Sequence, residues 1–432
     1  MSAIKANNTT DKVRQLQHRL YLAAKANSKR RFHALYDKIY REDIIKEAWK
    51  RVKAKKGAGG IDRKTVHDIE IYGIERFLQE ITNELETGTY RPQPVRRSYI
   101  PKQDGKGGKR PLGIPTVKDR VVQMAAKIVI EPIFEADFLN CSYGFRPKRR
   151  QHQALEVIRK ETKNKGYWVI DVDIKDYFGS INHQKLMILV EQRVTDRRVQ
   201  KLIRQWLTAG IMEEGELYSS EIGAPQGGVV SPLLSNIYLH YFDNQWEKHC
   251  KHLGRLVRFA DDLVIISRSR KEANHAFKVV DAIMTRLELT LHPEKTKLIE
   301  IWDGKSGFDF LGFHHRFRYS RTKKGVRYKE THQYPSKKAM QKMKQKFKEV
   351  FSRGNLQQDI AAMIKTLNLK IVGMRNYYGL KRAYSQLNKI DNYILIKFTI
   401  WVNQKKQRKP RHGYVTEVAK TVYGMGLKKL AA

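Results

Sequence analysis

The sequence predicts an α+β protein in which a small antiparallel sheet carries a set of carboxylates and a basic, all-α segment closes the chain. Three observations point there: an acidic β-hairpin pattern over 255–267, a second acidic strand at 167–174, and a concentration of positive charge after residue 310. The stretch RLVRFADDLVIIS places Leu256, Val257 and Phe259 before a bend and Leu263 to Ile266 after it, β-favouring residues on both sides of Ala260, Asp261 and Asp262. Asp is common at turns because it hydrogen-bonds its own backbone, so this pair alone reads first as turn chemistry. Strand side chains alternate faces, so only one of the two acids can point at a given partner.

The stretch YWVIDVDI (167–174) changes that balance. It puts Trp168, Ile170, Val172 and Ile174 on one face and Val169, Asp171 and Asp173 on the other. Carboxylates ending a buried strand beside an acidic tip are costly unless cations lie between them. All-oxygen donors suit Mg²⁺, which binds through one or two carboxylates and substrate phosphates, and two such ions can run an in-line phosphoryl displacement.

Composition narrows the partners. The 432 residues contain 85 Lys and Arg against 44 Asp and Glu, a net charge of +41, and the basic residues are interleaved with aromatics along the whole chain. Nucleic acid is the expected partner, ahead of an anionic membrane surface. No apolar run approaches a membrane span and the polar start MSAIKANNTTDK has no signal-peptide core, so a cytoplasmic location is expected. Cys141 and Cys250 are too few for a disulfide framework or a Cys-rich zinc site.

Taken in order, residues 11–56 read as two basic helices, broken by the glycine loop 57–62, which is either a flexible connector or a close approach to a partner. Tyr99 to Arg110 reads as a β-hairpin with a basic tip, and 117–138 as an apolar helix ending near Pro132. Tyr143 to Arg150 mixes aromatic and basic groups as template binding would need. Helical patterns cover 184–212, 233–242 and 273–289, and Gly223 to Gly228 opens a loop before the second of these. From Leu311 onward there are 29 Lys and Arg against 5 Asp and Glu, and the stripe Met340, Met343, Phe347, Val350 and Phe351 marks a helix whose other sides are lysine-rich.

Seven ordered blocks carry a family resemblance: KRPLGIPTVKDR (109–120), SYGFRPKRRQHQAL (142–155), DVDIKDYFGSINH (171–183), APQGGVVSPLLSNIYL (224–239), FADD (259–262), LHPEKTK (291–297) and FLGF (310–313). Together they resemble bacterial group II intron-encoded reverse transcriptases, here without the Cys/His nuclease domain that many members carry. The chain departs from the pattern where FADD replaces YADD and where Gly179 replaces an Asp after the aromatic pair.

The resemblance implies a right-hand polymerase with α/β fingers, a palm on an antiparallel sheet, and a helical basic thumb. It divides the chain into an N-terminal extension (1–70), fingers and palm (71–315), a thumb or maturase domain (316–400) and a short DNA-binding-like tail (401–432). It implies RNA-directed DNA synthesis with two Mg²⁺ ions, for which Mn²⁺ can substitute. Asp173, Asp261 and Asp262 would be the catalytic acids, and the carbonyl of Ile174 a further metal ligand. Lys295 would protonate the leaving pyrophosphate, with Lys297 as its alternative. Lys102 and Arg110 would hold the triphosphate, Gln226 would lie beside the sugar, and Phe178, with Tyr177 as rival, would exclude a 2′-hydroxyl. Expected partners are RNA template and primer, intron RNA, a DNA target and deoxynucleoside triphosphates, with no membrane. The alternatives are a reverse transcriptase of a phage-defence or CRISPR system, and a non-enzymatic RNA-binding maturase.

Overall fold

A computed structural model describes residues 9–101, 108–213, 215–218, 222–224, 226–322, 324–407 and 414–431. The chain forms two compact units, one of Met1–Leu155, Ile170–Ile265 and Arg270–Lys297, the other of Glu156–Val169, Ile266–Ser269 and Leu298–Ala432. No helix among the described residues is long and apolar enough to cross a membrane.

The first unit opens with helices α1 (Thr9–Ala26), α2 (Tyr36–Ile39), α3 (Glu42–Lys53), α4 (Val66–Tyr72) and α5 (Ile74–Glu86). In α3 the apolar residues Ile44, Ile45, Ala48 and Val52 are buried, as their helical spacing requires. These helices belong to the unit's own core: Gln17 donates to the Ile128 carbonyl at 3.0 Å and the Tyr36 hydroxyl to that of Leu85 at 2.7 Å. The glycine loop is no loose connector. Arg96 donates to the carbonyls of Gly59 and Gly60, and a Cβ at Gly60 would run into the backbone of Thr116, so the glycines serve close packing within the chain.

Strands β1 (Val95–Pro101) and β2 (Lys109–Ile114) form the expected antiparallel hairpin, with Ile100 opposite Arg110. Helix α6 (Val117–Glu135) is buried almost throughout and passes through Pro132 for another turn. Pro132 has no N–H for the Ile128 carbonyl, and that carbonyl accepts instead from the Gln17 amide. Next come α7 (Gln151–Lys163), β3 (Trp168–Val172), α8 (His183–Glu191), α9 (Arg197–Thr208) and the short strands β4 (Ile211–Glu213) and β5 (Glu216–Tyr218). One sheet has the order β2-β1-β4-β5. After α10 (Ser231–Gln245) come β6 (Arg255–Phe259), β7 (Asp262–Ser267), α11 (Arg270–Arg286) and β8 (Lys297–Glu300), and the acid-bearing sheet has the order β6-β7-β3-β8.

The second unit contains β9 (Gly307–Phe310), β10 (Phe313–Arg321) and β11 (Arg327–Pro335), all antiparallel, then α12 (Lys337–Val350), α13 (Ile360–Tyr378), α14 (Tyr384–Lys405) and α15 (Tyr414–Gly424). One expectation is corrected here. Residues 316–335, assigned to an all-α thumb, are largely strand, because alternating Phe313, His315 and Phe317 bury one face of β10. In the segment after residue 401, expected to be a short DNA-binding-like tail, Val418, Val422, Leu427 and Leu430 join the core that also holds Phe347, Leu367 and Phe398. Asp391 secures it by accepting the backbone N–H groups of Leu430 (2.8 Å) and Ala431 (2.9 Å).

Candidate active site

The acidic hairpin forms at the residues its pattern marks, with Ala260 in the left-handed region (φ +58°) at the bend. Its tip is held from within. Arg258 is fully buried, donates through Nε to Asp243 at 2.8 Å, and donates through Nη1 to Asn236 at 3.0 Å and to the Ala260 carbonyl at 2.9 Å. The Asn236 amide in turn donates to the carbonyl of Gly144 at 2.9 Å, and Gly144 lies so close to the Ala260 backbone that no Cβ would fit. A buried guanidinium bonded through all three of its nitrogens makes a rigid mount for the two acids that follow. The motif reading missed this mount. Its signal was present as two polar residues seven positions apart, Asn236 and Asp243, on one face of a largely buried helix.

Asp173 follows β3 and lies within electrostatic reach of both hairpin acids. Burial raises the Asp261 carboxyl above the usual range, opposed by Arg110 and reinforced by Asp173. The Asp262 carboxyl is pushed up to about 6 by burial, then by Asp261 and Asp173, with Arg110 opposing. Asp262 opens to solvent on one side; protein on the others supplies the desolvation. Arg110, at the end of β2, is therefore brought to the acids. Lys102 lies outside the described residues.

The segment 290–296 buttresses Asp173. The His292 N–H donates to the Asp173 carbonyl at 2.8 Å, Lys175 N–H to that of Thr290 at 2.9 Å, and Lys295 Nζ stands 3.0 Å from Asp173 Oδ2. Ile174 and Leu291 face each other across this antiparallel bridge, whose hydrogen bonds come from their neighbours. The N–H and C=O of Ile174 consequently point away from Leu291.

The aromatic pair splits its roles. Tyr177 is buried, its hydroxyl donating to the Ser235 carbonyl at 2.8 Å, and burial drives that hydroxyl's pKa far up. Phe178 is the half-exposed ring, 5.3 Å from Tyr177 and edge-on to it. The loop before α10 rests on this turn: Ala224 N–H donates to the Phe178 carbonyl at 2.8 Å, and Gly223 (φ +93°) has no room for a side chain against Gly179. Gly179 itself, where the resembled family has an acid, leaves space that the Asp176 carboxylate fills. Two residues on from Ala224, the Gln226 carbonyl accepts the Gly113 N–H of β2 at 2.7 Å, and Gln123 Oε1 accepts the Val229 N–H at 2.8 Å. One expected nucleic-acid group is spent internally: Arg146 is buried, paired with Glu135 at 2.7 Å and bonded to the carbonyls of Leu139 and Ser142.

Residues 100–315, half of the chain, match the reverse transcriptase (RNA-dependent DNA polymerase) family. The chain belongs to that family. Residues 340–418 match the maturase-specific domain of group II introns. Protein YkfC of Escherichia coli K12 is 34% identical over 354 residues, covering 72% of this chain and 90% of that protein. The group II intron-encoded protein LtrA of Lactococcus lactis is 40% identical over 213 residues, 49% of this chain and 35% of LtrA. A chain of a solved partial Cas6-RT-Cas1–Cas2 complex aligns at 25% identity over 58% of this chain and 42% of its own length, with a TM-score of 0.37. The protein is thus an RNA-directed DNA polymerase of α+β fold carrying a group II intron maturase domain.

Reverse transcriptases use divalent metal ions. Among the described residues no three His, Cys, Asp or Glu side chains form a ready-made cage. The donor set nonetheless fits a hard cation. Asp173, Asp261 and Asp262 supply only oxygen, their charges add against one another, and Mg²⁺ takes few protein ligands when phosphates complete its shell.

Proposed function

We propose that this reverse transcriptase extends a primer on an RNA template from deoxynucleoside triphosphates, with Asp173, Asp261, Asp262 and the Ile174 carbonyl holding two Mg²⁺ ions, for which Mn²⁺ can substitute. The observation that carries this reading is the gathering of three mutually repelling carboxylates on a rigid mount beside Arg110 and Lys295. When bound, the ions activate the primer 3′-hydroxyl and stabilise the leaving pyrophosphate. The chain's own groups do the rest. Arg110, with Lys102, binds the triphosphate. Lys295 stands 3.0 Å from the Asp173 carboxylate and would be placed to give a proton to the leaving pyrophosphate. Phe178 lies under the incoming sugar and Gln226 beside it.

The partner we propose is a group II intron RNA, bound mainly by the basic helical unit, with splicing assistance and synthesis primed at a DNA target as the outcome. The maturase-specific match over 340–418 and the excess of cations after residue 310 support it. The test of the site is Asp261→Asn. Extension of a primer on an RNA template should vanish while RNA affinity stays near that of the unaltered protein, since the acid serves the reaction and the surface cations serve binding. Near-normal extension would refute the assignment.

A further inference from the structure

The hairpin β10–β11 reaches beyond the core of its own unit. Phe317 and Thr331 face each other and are buried, but the next pairs on the same face, Tyr319 with Lys329 and Arg321 with Arg327, lie toward solvent. Tyr319 is 71% exposed. Trp302, just before the ribbon in sequence, is 43% exposed and shares Lys329 with Tyr319, so two open rings flank one lysine. Lys329 stands between them, its ammonium 3.7 Å from the Trp302 ring centre and 5.4 Å from that of Tyr319. Trp302 is fixed from behind by Tyr167 (4.4 Å) and Phe317 (5.9 Å).

Charge on the ribbon is one-sided. From Arg316 to Lys329 the sequence has seven Lys and Arg and no acid. Glu330 belongs to the opposite face, where it accepts from Ser320 at 2.5 Å and pairs with Arg382. Asp303, the acid near Lys329, accepts the backbone N–H groups of Lys305 and Ser306, and these bonds, then the charges of Lys305 and Lys329, hold its carboxyl below the usual range. Lys329 donates to the Trp302 carbonyl at 2.6 Å, and exposed rings flanked by an excess of cations are a good surface for bases that stack while phosphates meet the remaining charges.

We infer that the Trp302–Tyr319 face of the β10–β11 ribbon is a binding platform for single-stranded nucleic acid, built from residues other than those proposed for polymerisation. Unpaired bases stack on Tyr319 and Trp302, and Arg321 and Arg327 take the adjoining phosphates. A duplex, its bases hidden, gains only the charge interaction.

The test uses the full chain with its polymerase cleft saturated by unlabelled template-primer, and follows fluorescence anisotropy of a labelled oligouridylate, an oligothymidylate and a duplex of equal length. Tyr319→Ala should weaken the single strands between about fivefold and about a hundredfold, the range set by removing one stacking ring, and leave the duplex within about twofold. Tyr319→Phe keeps the ring and should bind like the unaltered protein. Arg321→Ala with Arg327→Ala should make the log-log salt slope shallower by about 0.7 for each phosphate no longer neutralised. Primer extension on a short template should persist in every variant. The inference fails if Tyr319→Ala binds single strands normally, if Tyr319→Phe is as weak as Ala, if the duplex weakens equally, or if extension disappears together with binding. The oligouridylate and oligothymidylate arms report whether the platform prefers RNA.

Discussion

Arg258 shows how much one side chain can govern at this site. Its head lies in the core behind the acidic tip, and it ties α10 to the bend carrying Asp261. Removing one member of a buried pair strands the other charge, so Arg258→Met should cost about 3–5 kcal/mol of stability. The double variant Arg258→Met/Asp243→Leu should recover much of that loss in a denaturant melt without recovering extension, because the bend loses its anchor. If the double variant melts as low as the single one, the pair is not acting through uncompensated charge. At the aromatic pair, Phe178→Ala should admit ribonucleotides about 10- to 100-fold more readily, a range consistent with small misplacement at a reacting centre. Tyr177→Phe should leave the sugar preference unchanged and cost about 1 kcal/mol for the missing Ser235 bond. Single-nucleotide extension with each sugar separates the two; unchanged discrimination in active Phe178→Ala would move the gate elsewhere.

Elements carry consequences of their own. Strand β10 buries His315 between a stacked Phe308 ring (4.6 Å) and Gln333 (3.2 Å), and burial pushes its imidazole down to about 3. His240 on α10 is pushed down to about 4, also by burial. A histidine unfolds to an ordinary value near 6.5, so each ring is neutral in both states at pH 7 and binds a proton only when unfolded at pH 5. The unfolded chain then binds more protons, and stability should fall by about 1.4 kcal/mol per pH unit per histidine once pH drops below about 6. His315→Gln should flatten the pH dependence of the melt between about pH 4 and 6. An unchanged slope would place the responsible protons elsewhere. On α12, Lys338, Lys342 and Lys346 form one line of like charge, and Lys342 is held below the usual lysine range by burial and then by these two neighbours. A polyanion would relieve that repulsion. Replacing all three by Gln should make the salt dependence of RNA affinity shallower by about 2 to 3 in the log-log slope. A slope that does not change would mark this line as solvated surface.

For the molecule as a whole, function is divided between units of different chemistry. The first places acids on a sheet whose hairpin is braced from a buried helix; the second stacks basic helices over an apolar core and adds a strand ribbon. The C-terminal segment is part of that second core through Asp391, so shortening the chain there is expected to loosen the helical unit before it removes any surface charge.

What the amino-acid sequence determined by itself was local and patterned. Alternation set the acidic hairpin and the Asp173 strand, helical spacing set the α12 stripe, and charge set the class of partner. These are legible because each depends on residues a few positions apart. Tertiary structure alone decided which members of each pattern are available for chemistry. Arg146 and Phe178 stand in similar aromatic-basic or aromatic strings, yet one is buried in an ion pair and the other is open. Gly59 and Gly60 invite a partner by composition and are closed by Arg96 and Thr116. Residues 316–335 have the cations of the helical segment, but one strand face buries Phe317 against Tyr167 and Thr331 against Thr162, and so became a ribbon. Burial is a property of the neighbours brought up by the rest of the chain, and no local pattern contains them.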